Sequence, residues 1–329
     1  MSQIPLYPLR FGPIYEYRPW GGRRLADLLS APLPADGPIG EAWILSDRDD
    51  HPSRVADGPL KGRTIRELRE LWPGEFQGKH GARFPLLLKF LDASGQLSVQ
   101  VHPSDAQTKY LPPGESGKTE AWVVLEVAPQ GRIYGGLVAG TTPDTLRRAV
   151  ANRCVADQLA SFTPTVGDGV FLPAGTVHSL SDGVVVFEVQ QNSDVTFRLY
   201  DWDRIDAKTG RPRALHVEEA LACIDYAQGE VSPVTPVVVA ETPVRCESLF
   251  QCPQFQLWRH RGDAPFTVGA DGSLRALVCV EGAGQLHHGD AAYAIGKGDV
   301  LLLAKIVGKC MCHPQGGMTL LEIAVPELS

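Results

Sequence analysis

From residue 84 onward the chain is built of short apolar runs, each closed by a turn. FPLLLKFLDA, LSVQVHP, EAWVVLEV and GRIYGGL come first, then GVFLPA, GVVVFEVQQ and TFRLYDWD. After residue 238 the pattern resumes with FQLWRH, LRALVCVEG, GQLHH, DAAYAI, DVLLLAKI and MTLLEIAV. Runs this short, this evenly spaced and this rich in Val, Leu and Ile predict antiparallel strands folded into sandwiches or barrels. The 34 glycines and 26 prolines supply the turns. Helix is confined to a few places. RRLADLL makes one or two turns, and TIRELRELWP (64–73) is amphipathic until its proline. TPDTLRRAVANRCVADQLASF (142–162) is the clearest helical segment, with Thr142 or Asp144 as cap. EAWILSD (41–47) alternates like a strand, and WGG (20–22) reads as a turn.

A chain of 329 residues suits one or two domains. The Pro/Gly/Ser-rich stretch YAQGEVSPVTPVV (226–238) predicts a division into residues 1–225 and 226–329. GDGVFLPAGTVHSLSDGVVVFEV (167–189) runs parallel to GDVLLLAKIVGKCMCHPQGGMTLLEIAV (298–325): glycine, apolar strand, polar turn, second apolar strand with a late glutamate. That repeat predicts two related halves.

The formal charge of −7 argues against a nucleic-acid backbone as partner. MSQIPLYPLRFGPIYEYRPWGG has no apolar signal core, and no run approaches a membrane span of about 18 residues. Seven cysteines at irregular spacing read as free thiols of a cytoplasmic protein.

The chemistry gathers around LSVQVHPSD (97–105). Leu97, Val99 and Val101 share one side of this strand, and Ser98, Gln100 and His102 the other. A lone strand histidine is commonly a structural hydrogen-bonding group, and Gln100 alone reads equally as a core amide. Glu120 opens the apolar strand EAWVVLEV, where a carboxylate needs a cation or a hydrogen-bond partner. Lys118 lies two residues earlier on the same side. His178 follows a strand and a Pro-Ala-Gly turn. Glu188 shares its side with Val184, Val186 and Gln190, and Arg198 follows with Thr196 and Tyr200. The last two charges read either as site residues or as halves of a structural ion pair.

GDGVFLPAGTVH, with Gly167, Pro173, Gly175 and His178, resembles the second cupin motif. FPLLLKFLDASGQLSVQVHPSD, GKTEAW and QQNSDVTFRLYDWDR are more specific and resemble type I mannose-6-phosphate isomerases in their short bacterial form. The likeness runs from WGG to about residue 206. It implies two cupin-type (jelly-roll) β-barrels with a few short helices, the first carrying the metal. It implies one zinc ion per chain on Gln100, His102, Glu120 and His178. It also implies Arg198, Glu188 and Lys118 as catalytic residues. Ser98, Trp20, Arg204 and Lys208 would contact a small phosphorylated sugar, with Glu41 near the pocket rim. The activity implied is interconversion of mannose 6-phosphate and fructose 6-phosphate through a cis-enediol, by a monomer or homodimer. An iron-dependent cupin oxygenase and a non-enzymatic sugar-binding cupin are the alternatives, and Gln100 in place of a histidine argues against the oxygenase. In the second half Lys309 aligns with His178 and Ala304 with Pro173, which predicts a packing unit without metal.

Overall fold

The computed structural model describes residues 5–76 and 83–325; the first four residues of the segment read for a signal core lie outside them. The first half contributes β1 (Leu9–Arg10), β2 (Ile14–Gly22), β3 (Ile39–Leu45), β4 (Leu86–Ala93), β5 (Val99–Val101) and β6 (Glu120–Val127). It continues with β7 (Ile133–Leu137), β8 (Leu159–Phe162), β9 (Gly169–Leu172), β10 (His178–Leu180), β11 (Val184–Gln191) and β12 (Phe197–Tyr200). The second half has β13 (Val237–Ala240), β14 (Arg245–Gln251), β15 (Gln256–Gly262), β16 (Phe266–Val268) and β17 (Arg275–Glu281). Then follow β18 (Ala283–His288), β19 (Ala291–Gly296), β20 (Val300–Leu303), β21 (Cys310–Pro314) and β22 (Met318–Ala324). The α-helices are α1 (Leu25–Leu28), α2 (Ile65–Leu71), α3 (Pro143–Ala151) and α4 (Val217–Cys223).

The strands form four sheets. Their orders are β2-β3-β4-β11-β6-β9, β12-β5-β10-β7-β8, β1-β20-β17-β22-β15-β14-β13 and β16-β21-β18-β19. Shifting each label from β2 to β11 by eleven converts the first half into the second, strand for strand, with β1 and β12 as extras. The fold is mostly β, as the runs imply, but it contains no closed jelly-roll barrel. Each order ends at two free edges, and among the described residues no sheet returns to its first strand. At the corner between β9 and β10, Pro173 has no N–H to donate and Gly175 takes φ +91°. The chain therefore crosses from one sheet to the other without carrying the ladder with it.

Three buried layers follow from the strand faces. Val185, Phe187 and Val189 of β11 pack outward with Phe90, Leu88, Ala121 and Val123, in a core shared with Leu257, Leu277, Leu302 and other residues of the second half. Val184 and Val186 face inward with Trp122, Val124, Leu91 and Leu97. Val99, Val101, Val177 and Leu199 of the facing sheet pack under Leu146, Ala220 and Leu221 of α3 and α4. The inward side of β11 thus begins apolar and ends with Glu188 and Gln190, which places the polar end of the inter-sheet space beside one group of residues.

Two local expectations change. WGG belongs to β2 rather than to a turn, because glycine is needed there for closeness: a Cβ on Gly21 would stand 2.3 Å from the Gly40 nitrogen. The helix expected over 142–162 stops at Ala151. Arg153 takes φ +59°, a short 3-10 turn (Val155–Gln158) follows, and Leu159–Phe162 pairs as β8.

Candidate metal centre and pocket

His102 follows β5, His178 opens β10 and Glu120 opens β6, so three elements from two sheets bring them together. Their ligand atoms all lie within 4.8 Å of one another, and the side chains are almost wholly buried. Each ring is held by its other nitrogen. His102 Nδ1 donates to the Val195 carbonyl and His178 Nδ1 to the Thr176 carbonyl, both at 2.9 Å. This fixes the tautomer and leaves both Nε2 lone pairs aimed inward. His178 Nε2 lies 3.1 Å from Glu120 Oε1, and His102 Nε2 3.5 Å from Oε2. Neither Glu120 oxygen accepts a well-directed hydrogen bond. Three electron-pair donors without protons, buried and converging, fit a borderline divalent cation.

Gln100 pairs with His178 across the β5–β10 ladder. Its amide nitrogen, 3.3 Å from His178 Nε2, faces the cluster, while its oxygen accepts from Ser98 Oγ at 3.2 Å. Lys118 Nζ contacts Glu120 Oε2 at 2.8 Å and His102 Nε2 at 3.2 Å. Burial pushes the His102 imidazole well below its usual range, and the Lys118 ammonium pushes it further. Burial would raise Glu120, but Lys118 and the two imidazoles hold it well below the usual carboxylate range.

Gln100 and Lys118 also line a pocket of about 410 Å³. Ser98, Trp20, Glu188 and Arg198 line it as well. Arg204 and Lys208 do not: Arg204 turns to the Gln96 carbonyl, and Lys208 lies 5.0 Å over the Tyr17 ring, itself a pocket wall. Glu188 is buried, accepts from Trp122 Nε1 at 2.9 Å, and is raised by its burial and by Glu120. Arg198 is tied by Nη1 to the Ala214 carbonyl. Burial and the neighbouring Arg213 push its guanidinium down.

Sequence reasoning missed three basic pocket residues, Lys89, Arg18 and Arg213. Lys89 Nζ sits 3.5 Å from Glu188 and 3.8 Å from Glu41, over the Trp43 ring at 4.8 Å. A lysine inside the run PLLLKFLDA was the available signal, since a buried ammonium needs carboxylates. Arg18 chelates Glu41 at 2.8 and 3.1 Å, and Arg213 pairs with Asp201. Nothing in their local sequence marks them.

In the second half Arg275 opens β17 as Glu120 opens β6, and the ladder that corresponds to Gln100–His178 pairs Val268 with Cys310 and Phe266 with Cys312. Valine and arginine offer no ligand atom.

The family description "phosphomannose isomerase type I, catalytic domain" matches residues 9–118. Mannose-6-phosphate isomerase ManA of Bacillus subtilis is 34% identical over 306 residues, 92% of this chain and 94% of that protein. The mannose-6-phosphate isomerase of Streptococcus mutans is 32% identical over 288 residues, 88% and 89% of the two chains. The crystal structure of the mannose 6-phosphate isomerase from Bacillus subtilis superposes with a TM-score of 0.88 at 30% identity, over 96% of this chain and 99% of that one. With the buried ligand cluster, these relatives define a metal-assisted sugar isomerase. The chain belongs to the type I phosphomannose isomerase family.

Proposed function

We propose that the protein interconverts D-mannose 6-phosphate and D-fructose 6-phosphate, with one zinc ion held by Gln100, His102, Glu120 and His178. The observation that carries this reading is the convergence of two tautomer-fixed Nε2 atoms and a buried carboxylate at a pocket that also holds a second buried carboxyl, Glu188. The names of the relatives supply the substrate. Gln100 completes the ligand set by turning its amide end for end, which exchanges oxygen for nitrogen. A bound zinc ion supplies Lewis acidity and a fixed positive charge.

Glu188 is the base. Once the ring is open it removes the proton at C2; the C–H electrons form the C1–C2 double bond of a cis-enediol as the C1 carbonyl pair moves to its oxygen, a proton passes from the C2 hydroxyl to that oxygen, and the carbon-bound proton returns at C1 to leave the carbonyl at C2. Its raised pKa makes it a competent acceptor nearer neutral pH. Lys118 and Arg198 face the oxygens on which negative charge develops, and cations already in place stabilise that charge without rearranging. Arg198, Arg213 and Arg18 crowd one another. An anion such as the substrate phosphate relieves that repulsion, so the phosphate binds on their side. Ser98 contributes a hydroxyl and Trp20 an apolar wall. Residues 1–225 carry this site in our reading and residues 226–329 form the second unit. A cytoplasmic location goes with seven free thiols; among the described residues no helix is long and apolar enough to cross a membrane.

The test is an assay of metal-quantified protein with mannose 6-phosphate. Fructose 6-phosphate should form, stop on EDTA treatment and resume with added zinc. Stoichiometric zinc without turnover of this substrate overturns the reading.

A further inference from the structure

The inner face of the second half carries a line of three functional side chains that the isomerase chemistry does not use. Cys246 of β14 stands directly opposite His260 of β15, and the ladder sets its thiol beside the ring. His260 Nε2 reaches Glu322 Oε2 of β22 at 3.1 Å. Glu322 is itself fixed by Arg275 Nε at 3.1 Å and the Gly269 N–H at 3.0 Å, and Phe266 stacks on the His260 ring at 5.2 Å. The three do not converge as metal ligands do; among the described residues only His102, Glu120 and His178 form such a group. They lie in a row, carboxylate to imidazole to thiol. A ring anchored by a carboxylate on one side takes the proton of a thiol on the other as the sulfur attacks.

We propose that Cys246 is the reactive thiol of this protein and the site at which it forms mixed disulfides with low-molecular-weight disulfides. The sulfur attacks one sulfur of the disulfide. A new S–S bond forms as the old one breaks, and the departing thiolate takes the proton held on His260. Access comes from the sheet edge. Cys246 is half-buried, and toward the edge of its sheet β14 is flanked by β13 alone, whose Val237, Val238 and Val239 are exposed. The ring supports the assignment: burial pushes His260 down, but Cys246 and Glu322 reverse this and carry it up to about 9. The other thiols are worse placed. Burial drives Cys223, Cys310 and Cys312 up to about 11 and Cys279 up to about 12, and it raises Cys252 as well. Cys154 is half-buried like Cys246 and serves as the reference.

The experiment treats the zinc-loaded full chain at pH 7 with limiting iodoacetamide, and separately with glutathione disulfide, and follows all seven cysteine peptides by mass spectrometry. Cys246 should react roughly tenfold or more faster than Cys154 and take up glutathione first. In His260→Gln its rate should fall to about that of Cys154, and Cys246→Ser should abolish the early adduct. A wild-type Cys246 no faster than Cys154, an unchanged rate in His260→Gln, or an early adduct persisting in Cys246→Ser would each overturn the proposal. The wild-type comparison decides the matter even where a variant fails to fold, and no arm depends on isomerase activity.

Discussion

Glu41, Lys89 and Glu188 sit on the adjacent strands β3, β4 and β11, and the single ammonium lies between two buried carboxyls. Their surroundings drive the two acids apart. Burial would raise Glu41, yet Arg18 and Lys89 bring it down to about 2. Glu188 has no arginine of its own, and burial with Glu120 leaves it raised. Two consequences follow in opposite directions. A carboxyl depressed on folding stabilises the protein above its unfolded value of 4.5 and loses that contribution as pH falls toward about 2. Denaturant midpoints should therefore drop across this window, and Glu41→Gln should flatten the drop. For Glu188, which must be ionised to act, the acid limb of kcat/KM should lie above 4.5. Because Lys89 lowers Glu188, Lys89→Met should move that limb to higher pH. Glu188→Gln should cut kcat by about 10²–10⁴-fold with zinc content unchanged. Unaltered exchange of C2-deuterium in that variant would remove Glu188 from the proton transfer. At this scale the sequence was legible where residue type and local spacing coincide, as at His102, Glu120 and His178. It was silent on Arg18 and Arg213, whose meaning comes from strands far away in the chain. Leu97 is a mixed case: grouped with Val99 and Val101 by alternation, it precedes β5 and faces the pocket with Trp20.

Among the elements, α3 shows how little of a helix its propensity decides. Thr142 caps it by accepting from the Thr145 N–H at 3.2 Å, while Thr145 Oγ1 accepts from the Thr142 N–H at 2.8 Å. Thr142→Ala should cost about 1 kcal/mol in a denaturant titration and leave the isomerase rate alone, since the cap is exposed. Of the two caps the sequence offers, Thr142 and Asp144, the structure uses Thr142. The stop after Ala151 was not legible, because Leu159–Phe162 is drawn into β8 by pairing with β7. The glycines of β2 misled for the same reason, since closeness to Gly40 is a tertiary fact. The closed barrels expected from cupin-like patterning give way to facing sheets, because alternation specifies which side of a strand is buried and not whether the sheet's edges meet.

For the whole molecule, the shared order of the two halves separates the scaffold from the chemistry. Both build the same two-sheet frame, yet the strands that carry Gln100, Glu120 and His178 in the first half carry Val268, Arg275 and Cys310 in the second. The halves are not independent, however. Their facing sheets share one apolar core, and Arg259 Nη1 bonds the Gly167 carbonyl at 2.6 Å. A fragment ending at residue 225 should expose that core and aggregate, and the full chain should melt in one calorimetric transition. Two separated transitions would show that each half stands alone.

β1 adds a constraint of timing. Leu9 pairs with Leu302, at the far end of the chain, so the earliest described strand to leave the ribosome is joined only when nearly everything else has been made. Until then its partner's edge on β20 does not exist. Completion of the sheet thus reports completion of synthesis, and a nascent chain stalled before β20 should keep residues 9–10 open to protease while the metal-binding sheets are already formed.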